Sequence, residues 1–423
     1  MIRILIGSFF VLLCFSCKQE KNTTTQNNIK SSVSNSNKLE NKFQILESQI
    51  DKQLDSINDL NYFNGFGVAV VNKDSILFTK GYGYRDLEKS LPYTSHTIQN
   101  IASISKVFVG LTLAKAIEEE KLKLDDDVNK YLPFTVKHPL FPNDTIKVQH
   151  LVNHTSGISD REYYSSSYIN LEKDTNGNPL IDQEELEYFL PIEEDRSLEE
   201  FLKFGLTVTD STHSDYIFNE YKPGTIHEYS NIGAALAAYV VEKATQTDFK
   251  DYSKQHVIDE LKLKETSWRL SDLDTTLRSK VYSTIDLRYP DYKLITFADG
   301  GMYTSVHDLG LVFSEIIAAY QGEGTLLNKD TYKLFFTKSL DSTHLSNKEN
   351  LKNLKNEQNH GIFLSYEQGR IGHTGGDPGV GTVMFFKPEN DFGIIYFVNT
   401  DINSKEAMQT FVNITELLES NFE

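Results

Sequence analysis

Apolar residues recur at helical spacing from Phe43 through Leu46, Ile50 and Leu54 to Ile57, which predicts an amphipathic helix. Behind it the period changes. Gly65–Val71 and Ser75–Tyr84 are apolar or alternating runs joined by the turn-forming triplet Asn72-Lys73-Asp74, and they predict a β-hairpin. The apolar run Ile101–Gly110 reads as the start of a helix continuing to about Glu119. From 120 to 295 the pattern is mainly helical or looped, with acidic clusters such as Glu184-Glu185-Leu186-Glu187 and Glu193-Glu194-Asp195 that mark solvated surface. Three strand-like runs, His360 to Glu367, Gly381 to Phe386 and Phe392 to Val398, then precede a helix from about Ser404 to Leu418. Strands at both ends and helices between predict an α+β fold, an α/β sandwich in which both ends of the chain feed one antiparallel sheet flanked by helices.

The first residues have a different pattern. Met1-Ile2-Arg3 followed by an apolar run from Ile4 to Phe15 has the charged and hydrophobic regions of a secretory signal, and the run is short for a membrane span. Ser16-Cys17 resembles the lipobox of bacterial lipoproteins, with Cys14 departing from the aliphatic residue preferred there; a plain signal peptide cleaved nearby is the other reading. The resemblance implies lipid on Cys17 and an exported lipoprotein, anchored to the membrane in the periplasm or at the cell surface. Residues 18–40, rich in Asn, Ser and Thr, predict a flexible tether. With Cys17 lipidated the mature chain has no cysteine left, which excludes disulfides, thiolate catalysis and cysteine metal sites. No later segment reads as transmembrane.

About 400 residues remain after a leader, enough for a sizeable core. A formal charge of -18 with no block of Lys and Arg argues against a nucleic-acid partner, since phosphate binding needs a basic footprint.

The chemistry starts at Ser103 and Lys106. Residues three apart share a helix face, so the amine lies beside the hydroxyl. A lysine desolvated among Val107, Phe108 and Val109 is a candidate base for the serine, and a helix N-terminus favours the developing alkoxide. Alone, Ser-x-x-Lys is weak: about one or two occurrences are expected by chance in a chain this long, and a helix cap with a solvated lysine gives the same spacing. Two further stretches change the odds. Pro223-Gly224-Thr225-Ile226-His227-Glu228-Tyr229-Ser230-Asn231 runs into the small-residue helix Gly233–Tyr239, and His373-Thr374-Gly375-Gly376 lies near the C-terminus. In this order the three segments resemble the Ser-x-x-Lys, Tyr-x-Asn and Lys/His-x-Gly motifs of the class C β-lactamase-related serine hydrolases, which include D,D-peptidases, D-aminopeptidases and esterases. The loops His150–Ile158 and Asp299–Ser305 resemble signature loops of the same family. The resemblance runs from about residue 45 to the end.

It implies a serine β-lactamase-like hydrolase domain over 41–423, with an α/β lobe (41–120 and 296–423), an inserted helical lobe (121–295) and a site in the cleft between them. It assigns Ser103 as nucleophile, Lys106 as base or proton shuttle, and Tyr229 as a proton relay helped by neighbouring lysine or histidine cations, where the residues alone also allow a core tyrosine. Asn231 is read either as the N-cap of a helix beginning at Ile232 or as a group that orients Lys106 or binds a substrate amide. His373 stands where β-lactamases of this family carry lysine; a histidine near its ordinary pKa of about 6.5 is only partly charged at neutral pH, so recognition of a β-lactam carboxylate should suffer. Gly375 and Gly376 suit an edge strand that substrate approaches closely, with the N–H groups of Ser103 and Gly376 as oxyanion donors.

Other motifs point elsewhere. His150 and His154 have the spacing of a helical metal pair but no glutamate between them, and a structural role is expected. Asp125-Asp126-Asp127 lacks calcium-loop spacing and reads as a solvated turn. The insertion over 160–222 is expected either as a surface excursion or as a specificity lid at the site mouth. The leading reading is a hydrolase cleaving an ester or amide of a small molecule or peptide through an acyl-enzyme, on peptidoglycan-derived or D-amino-acid peptides or small esters, with no cofactor and no metal. The alternatives are a catalytically silent, penicillin-binding-like sensor and a true β-lactamase.

Overall fold

The helix announced by Leu46, Ile50 and Leu54 forms over 45–58 (α1), with Ile50, Leu54 and Ile57 buried and Ile45 left exposed. The structure, a computed structural model, describes residues 45–172, 181, 183–207, 217–344 and 359–422. The expected leader, Cys17 and the tether lie outside the described residues. Among the described residues no helix is long and apolar enough to cross a membrane.

The predicted hairpin is β1 (Gly65–Val71) and β2 (Ile76–Asp86). Its turn is closed by Asn72, whose side-chain oxygen accepts from the N–H groups of Asp74 and Ser75 at 2.9 and 2.8 Å. Short strands β3 (Leu91–Pro92) and β4 (Gln99–Asn100) lead to helix α2 (Ser105–Glu118). Beyond it come α3 (Leu198–Thr207), α4 (Asn231–Thr245), β5 (Tyr168–Asn170) paired with β6 (Tyr292–Leu294), β7 (Tyr303–Thr304) paired with β4, α5 (Val306–Tyr320) and α6 (Lys329–Phe335). The chain closes with β8 (Asn359–His360), β9 (Ser365–Glu367), β10 (Arg370–Asp377), β11 (Val380–Phe386), β12 (Gly393–Val398) and α7 (Lys405–Phe422).

Eight strands form one antiparallel sheet in the order β3-β2-β1-β12-β11-β10-β9-β8, so the first and last long strands are neighbours at its centre, as strands at both ends predicted. Helices cover both faces. Gly393 lies against α5, where a Cβ would meet the Phe313 ring at 2.4 Å. Tyr396, three positions on and hence on the opposite face, donates to the carbonyl of Phe411 in α7 at 3.0 Å. Coverage on both sides explains why β1, β11 and β12 are buried at every position and read as apolar runs rather than alternations. Helix α2 is buried from Ser105 to Ala114, which is why apolar residues occur all round it.

The structure corrects three boundaries. His373–Gly376 belongs to a full eight-residue strand, because the glycines that weaken its strand pattern are held by pairing with β11 along its length. The run His360–Glu367 is two short strands around a tight turn in which Phe363 has φ of 51°. The final helix extends to Phe422, past Leu418.

Candidate active site

Ser103 does not sit on α2 itself. It occupies a one-turn 3-10 helix, Ala102–Ile104, that leads into α2. Ala102 has φ of 45°, in the left-handed region that costs a residue with a Cβ about 1–2 kcal/mol, so the nucleophile's turn is held against a local preference. Hydrogen bonds from outside hold it. The Ile101 N–H donates to the carbonyl of Met302 at 3.0 Å, and Thr382 Oγ1 of β11 donates to the carbonyl of Ile101 at 3.1 Å.

Lys106, one residue into α2, is fully buried, and its Nζ has three oxygen partners: Ser103 Oγ at 3.0 Å, Asn231 Oδ1 at 2.6 Å and the carbonyl oxygen of Asp299 at 2.7 Å. This arrangement suits either protonation state. As an ammonium, Lys106 donates one N–H to each oxygen; as a neutral amine it keeps the bonds to Asn231 and Asp299 and turns its lone pair to the serine hydroxyl. The solvated-lysine reading is therefore wrong for this chain.

Asn231 is not the N-cap of its helix. Ser230 is, its Oγ accepting from the Gly233 N–H at 2.8 Å, and Asn231 is the first helical residue with its side chain on Lys106. Asp160 fixes that helix end, accepting from the N–H groups of Asn231 and Ile232 at 2.8 and 2.9 Å and from Ser230 Oγ at 3.1 Å, a favourable place for a carboxylate. Tyr229, just ahead of the cap, is 37% exposed rather than a core residue. Lys106 Nζ lies 4.9 Å from its ring centroid, and the His154 ring packs 4.4 Å away on tilted planes.

His373 lies on β10 with its ring 6.3 Å from that of Tyr229. Burial, and secondarily the charge of Lys106, pushes its pKa down to about 4, so at neutral pH it is uncharged rather than partly charged. Behind it lie His154, His227 and His360, all buried or nearly so. His154 Nε2, His227 Nε2, His360 Nδ1 and His373 Nε2 are buried without a hydrogen-bond partner. Burial lowers every one of these histidines, His227 to about 4 and His154 and His360 well below the usual range. Histidine cations are thus not available to Tyr229 at neutral pH, which corrects that part of its expected role.

The glycines divide. β9 pairs with β10 only over 370–372, so 373–377 is a local free edge beside the nucleophile. A Cβ on Gly375 would sit 2.9 Å from Ser103 N and 2.7 Å from the carbonyl of Ile101, so only glycine lets strand and turn approach. Gly376 faces open space and has no such requirement.

Several residues at the site went unrecognised in the sequence. Tyr164 donates to the carboxylate of Asp299, and Tyr168 to Asp377 Oδ1 at 2.5 Å. Burial raises Asp299 to about 6 and Asp377 to about 8. Two tyrosines of the insertion therefore reach the site, while other described parts of it are exposed; 173–180, 182 and 208–216 lie outside the described residues. Nothing in the sequence marks Asp160, Tyr164 or Asp377, whose partners Asn231, Asp299 and Tyr168 are reached only through folding. His150 is structural: its Nδ1 accepts from the Lys147 N–H at 3.2 Å, and burial lowers it to about 4. In the acidic triplet, Asp127 accepts from Asn129 N at 2.8 Å, Asp126 from Lys123 N at 2.8 Å, and Asp125 pairs with Lys147 at 2.7 Å, the bonding of a turn.

Comparison with known proteins places the chain in a family. The chain is 24% identical over 362 residues to the protein flp of Staphylococcus aureus (strain MW2), covering 84% of this chain; it spans 63% of the length of that relative. Among solved structures, the octameric penicillin-binding protein homologue from Pyrococcus abyssi superposes with a TM-score of 0.65 at 20% identity, over 88% of this chain and 77% of that one. The D-amino acid amidase from Ochrobactrum anthropi SV3 does so with a TM-score of 0.62 at 18% identity, over 89% and 99%. Residues 55–419 match the family described as Beta-lactamase, a span that contains Ser103, Lys106, Tyr229, Asn231 and His373, and the chain belongs to that family.

Proposed function

We propose that this protein is a serine hydrolase that cleaves an ester or amide through an acyl-enzyme on Ser103. The observation that carries the reading is the buried Lys106 amine, held by Asn231 and the Asp299 carbonyl with its remaining valence on Ser103 Oγ. In the proposed cycle the Ser103 proton passes to Lys106 Nζ as Oγ bonds to the substrate carbonyl carbon. The C–O or C–N bond then breaks, and the leaving group takes a proton relayed by Lys106 and Tyr229. Water, losing a proton to the same relay, cleaves the acyl-Ser103 ester and restores the serine. The N–H groups of Ser103 and Gly376 are the proposed oxyanion donors.

The neutral His373 favours substrates without a carboxylate beside the scissile bond: small esters, or uncharged amides such as those of D-amino acids. The apolar leader and Cys17 support a second element of the proposal, a lipid-anchored exported protein. Intact-mass analysis after exposure to a fluorophosphonate probe tests the central claim. One adduct is expected on the wild type and none on Ser103→Ala, with turnover of a neutral ester lost in parallel. A wild type that takes no adduct and turns over no ester or amide supports the silent sensor instead.

A further inference from the structure

We propose that His96, Glu265 and His307 form a binding site for one divalent transition-metal ion, zinc in particular, on a part of the fold that shares no residue with the Ser103 site. The three residues come from separate stretches of the chain: the turn after β3, the segment ahead of β6, and the first turn of α5. Their donor atoms all lie within 4.8 Å of one another. His96 Nδ1 is 2.8 Å from Glu265 Oε1, and the two imidazole centroids are 4.8 Å apart. A zinc ion bonded at ordinary lengths holds its donors about 3.3 Å from each other, so closing the site takes only a small adjustment of the exposed His96 ring and the half-exposed His307 ring. Two imidazoles and one carboxylate suit zinc, nickel or copper and disfavour magnesium or calcium, which require oxygen cages.

The surroundings are built to orient these groups. Glu265 is held at both ends: its N–H donates to Asp308 Oδ2 at 2.6 Å, and its Oε2 accepts from Ser305 Oγ at 2.6 Å. That leaves Oε1 directed at His96. Asp308, itself buried, has Oδ1 3.3 Å from Nδ1 of His307, the outer carboxylate that typically fixes a metal-bound histidine and leaves its Nε2 for the ion. The His307 N–H donates to the carbonyl of Ser95 at 3.2 Å, so the first and third ligands are tied before any ion arrives.

The site sits where an ion would brace the catalytic turn. His96 precedes β4 and His307 follows β7, and these two strands pair through Gln99 and Thr304. Beyond β4 the chain runs on to Ser103, and β7 is preceded by the loop whose Asp299 carbonyl holds Lys106.

The test uses the full chain without a histidine tag, stripped by chelator and titrated with zinc chloride by calorimetry, with metal quantified after dialysis. One zinc per chain is expected, with magnesium chloride giving no heat. Zinc should raise the Tm of the wild type and slow amide exchange over 97–104. His96→Ala, at an exposed position, should weaken binding by about tenfold or more, and His96→Ala/His307→Ala should abolish both binding and the Tm shift. A wild type that retains no zinc, or a double variant that binds the same equivalent with the same affinity, overturns the proposal and leaves an ordinary His–Glu hydrogen bond.

Discussion

Two buried polar groups flank Ser103, and burial acts on them with opposite results. On one side His154, His227, His360 and His373 are driven to the uncharged form, with ring nitrogens left unpartnered. On the other, Asp299 and Asp377 are driven toward the protonated form while tyrosines donate to them. Lys106 lies between, and its charge pushes His154 and His373 further down while it pulls Asp160, Asp299 and Asp377 back. At neutral pH desolvation thus leaves the histidine flank uncharged and Asp377 mostly protonated, while Asp299, at about 6, is mostly ionised near the buried amine. The histidine flank offers no cation at His373 to a carboxylate.

Removing that amine gives the largest expected effect. Lys106→Ala should lower kcat/KM for a neutral ester by about a thousandfold or more, as Ser103→Ala should, and the double variant should lose little more, because nucleophile and base act as a unit. The same substitution tests the comparison between the flanks. With the amine gone, the His373 pKa followed by NMR should rise from about 4 toward its ordinary value, since the Lys106 charge contributes to its depression. Retained turnover in Lys106→Ala would remove the base assignment; an unmoved His373 would show that burial alone sets that flank.

How much of this was legible in the sequence depends on what each residue does locally. The hairpin, α2 and the central strands followed from period, because burial on one or both faces prints itself on neighbouring residues. Ser103, Lys106, Tyr229 and His373 were legible because their segments resemble family motifs. β10 was obscured by Gly372, Gly375 and Gly376, although Gly375 is small for a reason that appears only in three dimensions: a Cβ there would sit 2.9 Å from Ser103 N. Asn231 was ambiguous for an equally physical reason. Asparagine caps helices well, and only the fold shows Ser230 in that position and frees the amide for Lys106. Asp160, Tyr164, Tyr168 and Asp377 carry no local signal, since an acid or tyrosine has the same appearance in the sequence whether it faces water or a buried partner.

A smaller change should come from restoring a cation to the histidine flank. His373→Lys places an ammonium where the wild type is neutral, and a charge-assisted bond in a partly desolvated cleft contributes roughly 1.5–3 kcal/mol, or about one to two decades in rate. The comparison is kcat/KM for a chromogenic cephalosporin against a neutral ester, in both proteins at about pH 7.5. The cephalosporin should gain relative to the ester. Efficient cephalosporin hydrolysis by the wild type, or no relative gain on substitution, would show that position 373 does not govern carboxylate recognition.

The smallest effect separates the flanks by the sign of their pH dependence. His150, His227 and His373 have folded pKa values near 4 against an ordinary 6.5, so between those values the unfolded chain binds more protons and their stabilisation is lost as pH falls. Asp377 works the other way. Its folded pKa of about 8 lies above the ordinary 3.8, so the native state holds a proton that the unfolded chain has released, and stability declines as pH rises toward 8. Asp299 behaves likewise, but only up to about 6. Between pH 6.5 and 8 the histidines and Asp299 complete their titration in the wild type and in a variant at 377 alike, so the difference between the two proteins isolates Asp377. Asp377→Asn keeps an oxygen to accept from Tyr168 and cannot titrate, while its new amide facing Asn100 adds an offset that does not vary with pH. Across this window the variant should gain stability relative to the wild type by at most about 1.4 kcal/mol per pH unit, read as diverging Tm values. Parallel Tm profiles would mean that Asp377 is already ionised in the native state, and that the acid flank carries a second charge beside that of Asp299 at neutral pH.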